Sequence, residues 1–234
     1  MADNPLLPQD RLRELHTRIE RIRALDRKAS NRKTRTAREA LLAAMLIHLS
    51  AGDLVSGSAD DAILRALAPK SSASDDAHDV PHSLRIPLCA GAARGMQTAG
   101  TDRLAVAVAE AGAAENGWAD ALRWAHRDRL PFLFIVADDG TRANRKRSSR
   151  NGLPLLWPEL TKLAHRLHLP HFPVDGEDAV AVYRVMQEIS ARARSGGGPS
   201  VIWAMLSSER PTTLQQPLKR LDAYMAARGI RLNQ

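Results

Sequence analysis

The chain has a single cysteine, Cys89, among 234 residues. One thiol closes no internal disulfide and builds no thiolate metal cluster, so a disulfide scaffold and a cysteine-ligated zinc fold are both excluded for one chain. Cys89 reads as a small buried side chain. Aromatic residues are scarce, at 4%, and the most basic loop, TRANRKRSSRNG at 141–152, contains none. Binding of nucleic acid by stacking bases on exposed rings is therefore disfavoured. The four tryptophans, Trp118, Trp124, Trp157 and Trp203, read as core or interface residues. No apolar run approaches the roughly 18 to 20 residues of a membrane helix, and the opening MADNPLLPQD has no secretory apolar region. A soluble, cytoplasmic chain with no membrane partner is expected. There is no Gly-x-Ser-x-Gly elbow, and Gly196-Gly197-Gly198-Pro199 lacks the Lys and Ser/Thr that a phosphate loop requires.

What is present is enough for one sizeable core: 44% of residues are hydrophobic, which at this length supports one domain with or without a terminal extension. The net charge of +8 favours acidic partners, and it is concentrated in residues 11–40 and 141–152. In the first of these, Leu12, Leu15, Ile19, Ile22 and Leu25 recur at helical spacing between arginines, the pattern of an amphipathic helix. Its apolar seam is expected to be buried against another chain. The second is expected to be an exposed loop.

The order of elements follows from periodicity and breakers. A helix is expected over 36–49, then a break at Ser50-Ala51-Gly52-Asp53, a short apolar-polar segment and a helix over 60–67. Residues 69–83, PKSSASDDAHDVPHS, read as a flexible acidic loop. A helix follows over 86–97, with Pro87 in its first turn. Leu104–Val108 and Phe132–Val136 are apolar throughout, as strands covered on both faces are, and a helix over 118–128 joins them. Strand, crossover helix and strand make a right-handed parallel unit that puts both strand C-termini on one edge of the sheet. The domain plan is a basic N-terminal helical extension over 1–35 and an α/β domain over 36–234.

Two acidic groups stand at that edge: Glu110 after the first strand, Asp138 and Asp139 after the second. Ligands of open parallel sheets bind beyond the carboxyl ends of the strands. Hard oxygen donors suit magnesium, which completes its shell with phosphate oxygens. The same acids also suit helix caps and turns, and Asp138-Asp139-Gly140 is ordinary turn chemistry. His165, His168 and His171 are spaced by three, but Pro170 breaks the helix that would align them on a metal.

Longer stretches carry a resemblance. VDGEDAVAVYRVMQEISARARSGGGPSVIWAML (174–206), RIPLCAGAARGMQ (85–97), ALRWAHRDRLPFLFIVADD (121–139) and PLKRLDAYMAARGI (217–230) resemble, in order, segments of the alpha subunits of thiamine diphosphate-dependent 2-oxo acid dehydrogenases, the decarboxylating first component of the pyruvate and branched-chain complexes. The resemblance implies a thiamine diphosphate-binding fold, a mostly parallel sheet with helices on both faces, and a beta-type subunit together with self-association as partners.

It also implies a site. The family's Gly-Asp-Gly triplet is followed twenty-six residues later by Asn-Asn, and here those places hold Ala109-Glu110-Ala111 and Asp138-Asp139. By this likeness Ile86, Glu110, Ala111, Gly112, Asp139 and Thr141 would contact the cofactor, with Glu110, Asp139 and Thr141 on magnesium. Alanine for glycine would cost roughly 1–2 kcal/mol wherever the glycine serves a positive φ. The family's arginine-bearing run aligns with Ala59-Asp60-Asp61-Ala62, which reverses a charge facing phosphate, and Arg142, Arg145 and Arg147 are candidates to replace it. The histidine-bearing loops are missing: 68–83 is short, and SSERPTTLQQP stands where the family has Tyr-Arg-x-x-Gly-His-Ser. Two functions are expected: a divergent alpha-type subunit that, with a beta subunit, decarboxylates a 2-oxo acid oxidatively, or a non-catalytic relative that keeps the fold and partner interface as a binding or structural module.

Overall fold

A computed structural model describes residues 7–29, 38–57, 62–69, 82–111, 117–139, 156–207 and 216–231. Among these residues lie eight helices and five strands, in the order α1 (Gln9–Ala29), α2 (Glu39–Ile47), β1 (Leu54–Ser56), α3 (Ala62–Leu67), α4 (His82–Thr98), β2 (Ala105–Glu110), α5 (Trp118–Arg127), β3 (Phe132–Asp138), α6 (Leu156–Leu167), β4 (His171–Asp175), α7 (Ala179–Arg194), β5 (Ser200–Met205) and α8 (Pro217–Ala226). The strands form one sheet in the order β1-β2-β3-β5-β4, and every pairing is parallel. The apolar runs at 104–108 and 132–136 become the neighbouring strands β2 and β3, with Ala105 opposite Phe132 and Glu110 opposite Ala137.

Two cores follow from the two faces of this sheet. Side chains alternate along a strand, so Val106, Leu133, Ile135 and Ile202 enter the core shared with α1, α2, α7 and α8. Ala105, Phe132, Phe134, Val201 and Trp203 face the other way, against α4, α5 and α6. Trp118 and Trp203 are buried and Trp124 and Trp157 pack on the same core, as the tryptophan reading required. Cys89 is buried in the middle of α4.

Helix α1 differs from its expectation in what covers it. Leu12, Leu15, Ile19 and Ile22 are fully buried within this chain, in one core with α2 and the Leu221 and Met225 of α8. Periodicity identified the apolar face but carried no information on which surface would close over it. Helix α4 begins at His82 rather than 86, so Pro87 sits inside the helix and not in its first turn. A proline there has no N–H to give the preceding turn and its ring crowds that turn's carbonyl, yet the helix continues past it to Thr98. The two strands that periodicity did not announce, β1 and β4, are the edges of the sheet.

No helix among the described residues is long and apolar enough to cross a membrane.

Candidate functional site

The C-terminal edge of the sheet is where strands β1, β2 and β3 end and where α2 and α4 begin. Glu110 is the last residue of β2, and its register with Ala137 puts it on the face that carries α2, because Ala137 belongs to that core. Asp138, one residue further along β3, falls on the opposite face. The strand period thus separates two of the three acids that lie close in the linear reading. Asp139 follows the strand end and is half-buried.

The Glu110 side chain is 60% exposed and meets Arg38, whose Nη1 lies 3.8 Å from Oε1. Arg38 is the N-cap residue of α2 and its carbonyl accepts the Leu42 N–H at 2.9 Å. Its neighbour Glu39 accepts from Nε of Arg23 on α1 at 3.0 Å, which pins the first turn of α2 and therefore the place from which Arg38 reaches. Nothing in local sequence links residues 38 and 110, and Arg38 was not among the candidate residues.

Other candidate residues fall as follows. Ile86 is buried in α4 among Cys89, Ala90 and Ala107. Its neighbour Arg85 is also buried and donates to the carbonyl of Gly57 at 2.6 Å, which ties the first turns of α4 to the end of β1. Ala111 is buried, and its N–H donates to the Ala137 carbonyl at 2.9 Å. This extends the β2–β3 ladder one residue past the strand. Neither Ala109 nor Ala111 has a positive φ, so the strain expected of alanine at these places is not present in this chain. Gly112, Thr141, Asp60 and the arginines at 142, 145 and 147 lie outside the described residues. The ring centroids of His165 and His171 are 5.1 Å apart, and His171 Nδ1 lies 3.1 Å from the Leu169 carbonyl.

A cleft of about 310 Å³ opens at the other end of this edge, lined by Asp175, Glu177, Met205, Leu206, Ser207 and Arg220. It lies at the ends of β4 and β5, not at β2 and β3. Glu177 is buried there with its Oε1 accepting the Ser207 N–H at 2.7 Å, and Arg220 bridges Asp175 at 2.8 Å and Asp178 at 3.5 Å.

Comparison with known proteins assigns the chain to a family. The family model described as "Dehydrogenase E1 component" matches residues 75–206, more than half of the chain, from the approach to α4 to the end of β5. The chain belongs to the dehydrogenase E1 component family. This E1-family chain is 24% identical over 161 residues to the pyruvate dehydrogenase E1 component subunit alpha of Staphylococcus epidermidis, a match that covers 60% of the chain and 42% of that protein. It is 32% identical over 134 residues to the 3-methyl-2-oxobutanoate dehydrogenase subunit alpha of Mycobacterium tuberculosis, covering 55% of the chain and 35% of that protein. The chain thus matches less than half the length of these curated relatives. In fold it is similar to benzoylformate decarboxylase from Polynucleobacter necessarius, with a TM-score of 0.53 at 13% identity over 72% of this chain and 33% of that one. The homology to alpha subunits of 2-oxo acid dehydrogenases and the parallel, helix-flanked sheet agree with the resemblance carried by the sequence.

Family membership implies thiamine diphosphate, and the chemistry of the donors at β2 and β3 can be set against that group with its magnesium. Among the described residues, no three His, Cys, Asp or Glu side chains converge so as to hold a metal ion. Glu110 faces a guanidinium, and the Ala111 N–H is spent in the sheet. Of the described donors, Glu110 thus already faces a cation and Ala111 has its N–H paired, while Gly112 and Thr141 lie outside the described residues.

Proposed function

We propose that this E1-family chain is an alpha-type module that keeps the fold and partner surface of 2-oxo acid dehydrogenases and acts as a non-catalytic binding or structural subunit beside a beta-type chain. One observation carries the reading: Glu110, which stands in the place of the family's metal-binding aspartate, is engaged by Arg38 of the same chain. A partner surface is supported by α4, where Leu84 and Leu88 are each 51% exposed. On the same helix Gly91 and Gly95 have open space where a side chain would stand, which allows another backbone to approach closely.

A second reading rests on the spacing of Glu110 and Asp139, which matches that of the family's metal ligands. It makes the chain the alpha subunit of an active, thiamine diphosphate-dependent first component that oxidises a 2-oxo acid once a beta subunit completes the pocket.

Calorimetric titration of the chain and a beta-type partner with magnesium and thiamine diphosphate separates the two. The non-catalytic reading requires assembly with weak or absent cofactor binding. A sub-micromolar dissociation constant for the cofactor overturns it in favour of the enzyme. Light scattering tests the shared part: a chain that stays monomeric at tens of micromolar, alone and with beta-type chains, removes the partner surface from both readings.

A further inference from the structure

We infer that Arg38 takes the place of a divalent cation at the end of β2, so that this edge of the sheet excludes magnesium by means of a cation built into the chain. The inference rests on the reading above that Glu110 stands in the family's metal-binding position, and it goes further by naming the residue that sets cation selectivity there. Three facts converge on it. The Arg38 guanidinium lies 3.8 Å from the Glu110 carboxylate. The sheet register places Glu110 on the α2 face and turns Asp138 away from it, so Asp138 does not reinforce the first carboxylate. The root of Arg38 is fixed, since it is the N-cap residue of α2 and the adjoining Glu39 is held by Arg23 of α1. A tethered cation competes with a free one at high effective concentration, and its charge repels a metal ion that would have to sit beside it. At about 5 Å this repulsion lowers divalent-ion affinity by at least about tenfold.

The test uses the full chain and manganese(II), whose free fraction is read by its paramagnetic resonance signal, with magnesium as competitor and ionic strength held constant with sodium chloride. Wild type is expected to bind manganese only weakly. Arg38→Gln is expected to bind it at least about tenfold more tightly, and Glu110→Gln added to that variant should return affinity to the wild-type level. Glu110→Gln alone should leave weak binding unchanged, and this arm stands even if Arg38→Gln fails to fold. The inference is overturned if wild type binds manganese as tightly as Arg38→Gln, if the gain survives the Glu110 substitution, or if Glu110→Gln alone weakens binding. None of these readouts depends on a beta-type partner or on thiamine diphosphate, so failure here is distinct from failure of the proposed function.

Discussion

Arg194, in the last turn of α7, grips the fully buried carboxylate of Asp53 with two N–H groups, at 2.6 Å to Oδ2 and 3.1 Å to Oδ1. Asp53 also accepts the backbone N–H of Ser50 at 2.7 Å and of Leu104 at 2.9 Å. Arg194 in turn donates to the carbonyls of Asp102 and His48. One ion pair therefore fastens four places: the end of α2, the start of β1, the approach to β2 and the end of α7. Removing one partner of a buried, hydrogen-bonded pair leaves an uncompensated charge, which costs about 3–5 kcal/mol. Asp53→Ala and Arg194→Ala are each expected to lose about that much in urea unfolding, and a loss below about 1 kcal/mol in both would show that the pair does not hold these elements together.

His48, next to that hub, packs its ring at 4.4 Å from the ring of Tyr183. Burial, the largest influence on it, pushes its pKa down to about 4. Because the folded value lies below the ordinary value near 6.5, the native state binds fewer protons than the unfolded chain. The associated stability is complete above about pH 6.5 and is lost as pH falls toward 4, by up to roughly 3 kcal/mol. Unfolding free energies at pH 7, 5.5 and 4 should show this decline, and His48→Gln should flatten it over that window. A decline of equal size in the variant would assign it to other groups.

Burial also raises the Cys89 thiol far above its usual range, and the residue is enclosed within α4. The thiolate is the reactive species, so modification of the native protein by a thiol-specific disulfide reagent at pH 8 should be very slow. Reaction should become fast in denaturant, with a rate that follows the unfolded fraction. Prompt labelling of the native chain would mean that α4 opens locally.

Helix α7 is capped by Asp178, whose Oδ1 accepts the N–H groups of Val180 and Ala181, both at 3.0 Å. Asp178→Ala should cost about 1 kcal/mol, the ordinary value of an N-cap, and Asp178→Asn should recover most of it. Equal losses in both variants, read from thermal melting, would point to the Arg220 contact rather than the cap.

The parts of this fold that periodicity exposes are the buried ones. β2 and β3 are apolar up to the acids that end them because helices cover both faces, and α7 was legible through the resemblance carried by residues 174–206. β4, HFPVD, was not legible: it is an edge strand with a mixed burial pattern and Pro173 within it, tolerated because an edge strand leaves one side of its ladder open. β1 is only three residues long and gives no period to read. Spacing placed Glu110 and the aspartates at the right edge of the sheet, but which face each acid takes depends on register. The Arg38 contact depends on a helix more than sixty residues earlier in the chain. The acids at the edge were visible in the sequence, and the cation that meets one of them was not.

The packing of α1 on α8 has a consequence for how the chain is made. His16 of α1 lies 3.0 Å from Asp222 of α8, and Leu12, Leu15 and Ile19 share a core with Leu221 and Met225. During translation α1 leaves the ribosome about two hundred residues before its covering helix, at synthesis rates of roughly 5–20 residues per second. For some ten seconds or more its apolar seam lacks the cover that Leu221 and Met225 provide. Nascent chains stalled before residue 217 should therefore recruit holding chaperones through α1, and release them once α8 has emerged.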